Sequence, residues 1–91
     1  MGFTLYQTGI LHKLPDRLAF EQDNITVGEL FALLADQHGE QVLEEVLDDE
    51  RKIAAETLVI LNGHILQSES VLTTTIPPGS ELVVSTLIAG G

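Results

Sequence analysis

TLVILNGHIL, the segment from Thr57 to Leu66, contains the clearest structural signal in this chain. Residues 57–61 form a continuous apolar run rich in branched side chains, which is typical of a strand in the interior of a sheet. Asn62-Gly63 is the preferred pair for a type I′ turn, because both of its central positions need a positive φ. Residues 64–66 are then the short return strand, so the segment predicts a β-hairpin.

A further strand is predicted after this hairpin. Residues 68–76 show no clear period and indicate a loop with room for one helical turn, and Pro77–Ser80 reads as a tight turn. Residues 81–88 are apolar and β-branched, which favours a last strand. We expect residues 88–91 to form a flexible C-terminal tail.

The two faces of this last strand follow from the alternation of its side chains. One set is expected to pack on a helix: Leu82, Val84 and Thr86. The other set is expected to leave an apolar patch for a partner protein: Val83, Ser85 and Leu87. The reverse assignment of the two faces stays open at this point.

The N-terminal half predicts a second hairpin and the main helix. Phe3–Leu11 and Leu18–Glu21 favour strands, with a turn between them at Leu14-Pro15-Asp16. Thr26 and Glu29 stand at the spacing of a capping box, which marks the start of a helix.

The apolar residues after this cap recur at helical spacing, and Gly39 is a suitable residue just past the helix end. They are Val27, Leu30, Phe31 and Leu34. A second, short helix is predicted from about Glu40 to Asp49. Its narrow apolar stripe consists of Val42, Leu43, Val46 and Leu47.

This order of elements predicts an α+β fold. We expect a mixed sheet of four to five strands, packed on one main helix with a second short helix. A hairpin, helix and hairpin in succession require a crossover that places the last strand beside the first. A length of 91 residues predicts one domain, residues 1–91.

The composition excludes several classes of function. The net charge is −10 with four basic residues, which argues against binding nucleic acid. Residues 36–50, the acidic segment, hold seven acids and no lysine or arginine, a pattern that suits either solubility or docking on a basic protein. No apolar run is long enough for a membrane span, and the N-terminus lacks the pattern of a signal peptide. A cytoplasmic protein is therefore expected.

The sequence shows no constellation of catalytic residues. The absence of cysteine excludes a thiol nucleophile, a disulfide and a thiolate metal site. His12, His38 and His64 are not spaced as a metal motif, and the acidic segment lacks the loop pattern of an EF-hand. We therefore expect neither a bound metal nor a bound cofactor, and a protein that is not itself an enzyme.

The chain resembles the MoaD/ThiS family in four features. They are the order of elements, Asn62-Gly63 after the third strand, Pro78-Gly79 before the last strand, and the ending Ile88-Ala89-Gly90-Gly91. These proteins are ubiquitin-like sulfur carriers of molybdopterin and thiamine biosynthesis, so the resemblance implies a β-grasp fold. The likeness is densest from Leu58 to Gly91. The chain length fits the molybdopterin branch, whereas the aliphatic tail looks more like the thiamine branch.

The resemblance also implies a chemistry for the C-terminus. A ThiF- or MoeB-like enzyme would adenylate the Gly91 carboxylate with its own ATP and magnesium, and sulfur would then replace AMP to give a thiocarboxylate. The charged tail would enter the large subunit of a synthase, with this chain as the non-catalytic small subunit. The partner-binding residues expected from this role are Val83, Leu87, Ile88, Ala89 and Gly90.

Physical chemistry is compatible with this role but leaves alternatives open. Gly90 and Gly91 have no side chains, so this backbone fits a narrow slot, and Leu87 and Ile88 could contribute apolar contacts there. The same glycines could instead be an inert chain end, and the same aliphatic residues could simply complete the core. Two other functions remain: a ubiquitin-like modifier joined to target lysines through Gly91, and a β-grasp interaction module that is never activated.

Overall fold

The computed structural model describes residues 1–11 and 13–86, which form one five-stranded sheet and one α-helix. The strands are β1 Phe3–Gln7, β2 Arg17–Phe20, β3 Thr57–Leu61, β4 His64–Ile65 and β5 Glu81–Thr86. The helix α1 spans Val27–His38, and two short 3₁₀ helices span Glu40–Leu43 and Val71–Thr73. Every strand that the sequence predicts is present. β3 has the predicted bounds, the other ends within the described residues shift except at the starts of β1, β4 and β5, and the predicted end of the last strand lies outside the described residues.

The strand order is β2-β1-β5-β3-β4, so β5 lies in the middle of the sheet. β1 and β5 are parallel, and the other neighbouring pairs are antiparallel. The predicted crossover that places the last strand beside the first is thus confirmed. The mixed sheet and the single main helix are confirmed as well.

The turn between β3 and β4 also fixes the start of β5. Asn62 and Gly63 have φ angles of 50° and 85°, as a type I′ turn requires. The Asn62 side chain accepts a hydrogen bond from the N–H of Glu81 at 2.9 Å and donates one to the Ser80 hydroxyl at 3.1 Å. One residue therefore closes the hairpin and positions the central strand.

The main helix begins where the capping box predicts. The Thr26 hydroxyl accepts a hydrogen bond from the N–H of Glu29 at 3.0 Å, and the Glu29 carboxylate accepts one from the N–H of Thr26 at 2.8 Å. Gly39 follows the last helical residue with a φ of 94°. Because both signals are local, the sequence predicts this element well.

The prediction of a second helix over residues 40–49 is wrong in its extent. Only Glu40–Leu43 are helical, as a 3₁₀ helix. Beyond it, the Asp48 carboxylate accepts hydrogen bonds from the N–H groups of Glu50 and Lys52 at 2.9 and 3.0 Å. Such side-chain bonds to the backbone compete with helical bonds, so Asp48 closes a loop instead of extending the helix.

The core lies between the sheet and α1. It is formed by the inward side chains of the strands together with Val27, Leu30, Phe31 and Leu34 of the helix. Residues of the acidic segment add to it through Val42, Leu43 and Val46, which are buried. The acidic segment is therefore anchored in the core through these apolar side chains.

Gln7 is one of two buried polar residues among those described, and its side chain holds the loop between β1 and β2. Its amide nitrogen donates to the carbonyls of Leu14 and Pro15 at 2.8 and 3.1 Å. Its amide oxygen accepts from the N–H of Leu11 at 3.0 Å. A single side chain thus satisfies three backbone groups of an irregular loop.

We expect Gln7→Leu to lower the free energy of unfolding by about 2–4 kcal/mol, because leucine has a similar size but leaves these backbone groups without a partner. Urea denaturation of the purified protein measures the loss. Gln37→Leu, at an exposed position of α1, is the matched control and should change little. Equal losses for the two variants would contradict this role for Gln7.

The start of the chain is tied to the loop that follows β2. The Asp23 carboxylate accepts a hydrogen bond from the N–H of Gly2 at 2.7 Å and lies 3.3 Å from the Met1 ammonium. The Gly2 N–H first, and the ammonium second, lower the pKa of Asp23. Since β1 and β5 are parallel, this tie lies at the end of the sheet opposite Thr86.

The lowered pKa of Asp23 predicts a pH dependence. A carboxyl whose folded pKa lies below its unfolded value stabilises the fold above the unfolded pKa, and this contribution is lost as the pH falls through the folded pKa. Asp23→Asn should therefore be less stable than the wild type at neutral pH, and the difference should vanish in strong acid. Urea midpoints of both proteins across this range measure it, and a difference that is independent of pH would contradict the assignment.

Candidate functional site

The candidate site is built around β5, which leads to the C-terminal residues. β5 has β1 on one side and β3 on the other, and its last residue, Thr86, is the last residue that the structure describes. The predicted site residues Leu87, Ile88, Ala89, Gly90 and Gly91 lie outside the described residues. The structure therefore shows the residues around Thr86, after which this segment follows in the sequence.

The two faces of β5 are as predicted for residues 82–85, whereas Thr86, which was expected to pack on the helix, is exposed. Leu82 and Val84 are fully buried on the side that faces α1. Val83 and Ser85 point to the opposite, outward face of the sheet and are half-buried. Val83, the one predicted partner-binding residue inside the described range, is thus on the accessible side.

Val83 lies in the middle of an apolar row that crosses four strands. The strand register places it beside Tyr6 of β1 and Ile60 of β3, and Ile60 beside Ile65 of β4. We call Tyr6, Val83, Ile60 and Ile65 the sheet-face row. Ile65 is 66% exposed, whereas the other three are half-buried. Arg17, opposite Tyr6 on β2, ends the row with a positive charge.

The row is accessible because β3 is covered on one face only. As the apolar run of residues 57–61 predicts, β3 lies in the interior of the sheet, between β5 and β4. Val59 is 1% exposed, while its neighbours Leu58 and Ile60 are half-buried on the outward face. An accessible row of this kind is the usual mark of a protein interaction surface.

Hydroxyl groups fix the end of β5 to its neighbours. The Ser85 and Thr8 hydroxyls are 2.8 Å apart and share a hydrogen bond. Thr57, the residue of β3 opposite Thr86, donates its hydroxyl to the carbonyls of Glu45 and Val46, both at 3.3 Å. The strand end is therefore connected both to the loop after β1 and to the acidic segment.

The surroundings of Thr86 are strongly acidic. A recess of about 390 Å³ adjoins Thr86, and its apolar part includes Ile10 and Ala54. The carboxylates that line it are Glu44, Glu45, Asp48, Asp49 and Glu56. A protein that approaches this end of the sheet is favoured if its own surface is basic.

The described residues contain neither a metal-holding cluster nor a membrane-spanning helix. No three histidine or acidic side chains within residues 1–11 and 13–86 come together in an arrangement that holds a metal ion. His12 is not among the described residues. In the part of the chain that the structure describes, no helix combines the length and the apolar character needed to cross a bilayer.

Comparison with solved structures identifies the architecture. The crystal structure of SAMP1 from Haloferax volcanii matches with a TM-score of 0.73 and 19% sequence identity, over 100% of this chain and 100% of that chain. The fold is the ubiquitin-like β-grasp. The solution structure of the HVO 2177 protein of the same organism matches with a TM-score of 0.74 and 18% identity, over 100% of this chain and 87% of that one. No protein-family model and no curated protein sequence matches the chain.

Sequence reasoning found Val83 but missed its neighbours in the sheet-face row. Alternation along each strand puts Tyr6 and Ile60 on one of two faces, but it does not say which strands are adjacent or in what register. The exposure of Ile65 had no signal in the sequence, because an isoleucine in a short strand is usually buried. The row therefore emerges only once the sheet is assembled.

Proposed function

We propose that this protein is a cytoplasmic sulfur carrier whose terminal Gly91 carboxylate is charged by a separate ATP-using enzyme. The observation that carries the proposal is the position of β5. It is the central strand, its outward face carries the sheet-face row, and the sequence after Thr86 is Leu-Ile-Ala-Gly-Gly. The proposed partner surface thus lies on the strand that precedes the Gly90-Gly91 ending in the sequence.

The proposed chemistry proceeds in two steps. A Gly91 carboxylate oxygen attacks the α-phosphorus of ATP, and pyrophosphate leaves, which gives an acyl adenylate. A sulfide donor then attacks the acyl carbon, the carbon–oxygen bond to AMP breaks, and a C-terminal thiocarboxylate remains. Adenylation is needed because a carboxylate has no good leaving group of its own.

In this proposal the chain and the activating enzyme contribute different groups to the reaction. ATP and magnesium need basic groups and metal ligands, which the activating enzyme of the ThiF/MoeB type provides. The carrier supplies an extended terminus and the sheet-face row as its docking surface. The charged terminus then enters the large subunit of a synthase, which transfers the sulfur to an intermediate of molybdopterin or thiamine biosynthesis.

Intact mass spectrometry tests the proposal directly. The purified chain, verified to end at Gly91, is incubated with a ThiF-like activating enzyme of the same organism, ATP and sulfide. We expect a mass gain equal to the replacement of one oxygen by one sulfur, and no gain when ATP is omitted. If neither the adenylate nor the sulfur adduct forms, the carrier function is refuted.

Conjugation to proteins is the second candidate, and the likeness to SAMP1 supports it about as well as it supports the carrier function. SAMP1 is a small archaeal modifier protein of the ubiquitin-like class. In this function a lysine amine of a target attacks the activated Gly91 carbonyl, AMP leaves and an isopeptide bond forms. Cells that express a tagged chain would then contain target peptides joined to Gly91. Sulfur transfer without such conjugates would support the carrier function and contradict the modifier function.

A further inference from the structure

A second surface with apolar residues lies along one flank of α1. Here the helix is flanked by the acidic segment on one side and by the 3₁₀ helix Val71–Thr73 on the other. We call this surface the helix groove. Its lining residues are Gly28, Phe31, Ala32, Leu43, Leu47, Arg51 and Leu72.

Small residues and close packing shape the floor of the groove. Gly28 and Ala32 are one helical turn apart, so they share a face of α1. Because neither residue has a large side chain, this face leaves space for a ligand close to the helix backbone. A Cβ atom added at Gly28 would lie 2.8 Å from the carbonyl oxygen of Leu72, so the 3₁₀ helix rests directly on α1. Leu47 and Leu72 are half-buried, and these two leucines form opposite walls.

The groove continues into two acidic recesses. One, of about 370 Å³, extends past Leu72 toward Ser68, and the other, of about 270 Å³, extends past Leu43 and Leu47. The charged residues along these recesses are Glu40, Glu44, Asp48, Asp49, Glu69, Arg51 and Lys52. The Arg51 guanidinium lies 3.2 Å from the Glu40 carboxylate, so part of the small positive charge is already neutralised.

This charge pattern selects the class of occupant. A second copy of the chain would bring the same acidic rim and a net charge of −10, so two copies repel each other. Nucleic acid and anionic lipid are disfavoured for the same reason. Among the described residues, the only charged one that lines the groove itself is Arg51, which is paired with Glu40, and the adjoining recesses carry five carboxylates against Arg51 and Lys52. This net negative surrounding complements a segment whose apolar side chains are bordered by lysine or arginine.

We propose that the helix groove binds a basic amphipathic helix of a partner protein. Apolar side chains spaced three and four residues apart lie over Ala32 between Leu47 and Leu72, in the helix-in-groove mode. The flanking basic side chains face Asp49 on one side and Glu69 on the other. Because the groove and the sheet-face row are on opposite sides of the molecule, a groove partner binds while the activating enzyme holds the tail.

A pair of designed peptides tests this surface without knowledge of the natural partner. The probe is a helix of about 14 residues, roughly four turns, with leucines along one face and lysines on the others. The control peptide has the same residues in scrambled order, and hence the same charge. Amide chemical shifts of the isotope-labelled full chain report where each peptide binds.

We expect the amphipathic peptide to shift the amides of Ala32, Leu47 and Leu72, with an affinity at least about tenfold above that of the scrambled peptide. Equal affinity of the two peptides would show attraction to the acidic surface alone and would overturn the proposal. Shifts centred on the sheet-face row, or no saturable binding, would overturn it as well.

Two arginine variants separate the location from the charge. Ala32→Arg places bulk and positive charge on the floor of the groove, and Ala19→Arg adds the same charge at an exposed position of β2. We expect Ala32→Arg to weaken the amphipathic peptide by roughly tenfold or more, and Ala19→Arg to change it less than about twofold. Equal weakening by both variants would contradict a defined groove.

Discussion

Deletion of Gly91 should abolish sulfur charging and leave the free energy of unfolding nearly unchanged. The deletion moves the terminal carboxylate back by one residue, a retreat of about 3.5 Å along an extended chain. Displacements of about 1 Å in a reacting group can cost roughly 100-fold in rate, so the shortened chain should show no measurable adduct. Stability should persist because every residue of the described core lies between Phe3 and Val84.

Two measurements on one protein sample decide this prediction. Intact mass after incubation with the activating enzyme reports charging, and urea denaturation reports stability. A chain extended by one glycine after Gly91 is the matched control, because it keeps both native glycines but displaces the carboxylate in the other direction. It should fail as the deletion does. Charging of the deletion variant at the wild-type rate would refute the assignment of Gly91.

The outcome for stability is equally informative. A large loss of unfolding free energy on deletion would mean that Gly91 contributes to the fold rather than to transfer. The carrier and modifier functions both require that the terminus reach the active site of another protein. Such a result would contradict both the carrier and the modifier function. The unactivated interaction module would then remain as the candidate function.

The predictions that depended on local signals were the most accurate. The start of α1 follows from a capping box within four residues, and the turn at Asn62-Gly63 follows from the φ angles that two adjacent residues must adopt. Both are fixed by interactions within one turn of the chain. The same reasoning failed for residues 40–49, because the Asp48 carboxylate binds backbone groups that a helical pattern does not take into account.

The sheet-face row illustrates the limit on predicting a site from sequence. Tyr6, Ile60 and Val83 belong to three separate strands, and they are neighbours only through the register of β1, β5 and β3. No local pattern encodes that register. The tail is the reverse case, because the chemistry proposed for Gly90 and Gly91 is read from the sequence and lies outside the described residues.

We expect the row and the tail to make separable contributions to charging. If the activating enzyme contacts both, the row holds the domain on the enzyme, which raises the effective concentration of the terminus at the active site. A defect in the row should then affect encounter and binding. A defect in the tail should affect the chemical step.

Ile65→Asp should therefore lower kcat/KM for charging by about 10- to 100-fold while kcat changes little. Ile65 is 66% exposed at the edge of the sheet, so the substitution costs little folding energy. It removes a side chain whose burial against a partner is worth about 1.5–3 kcal/mol and adds a charge that the partner must desolvate. An unchanged kcat indicates that the tail still reaches the active site once the complex has formed.

Gln22→Asp supplies the matched control, since it adds the same charge at an exposed loop position away from the row. Initial rates of adenylate formation over a range of carrier concentrations give kcat and KM for each variant. Equal losses in both variants would assign the effect to net charge. A wild-type KM for Ile65→Asp would show that the enzyme recognises the tail without the sheet, in which case Gly91 still carries the sulfur but the row serves another partner.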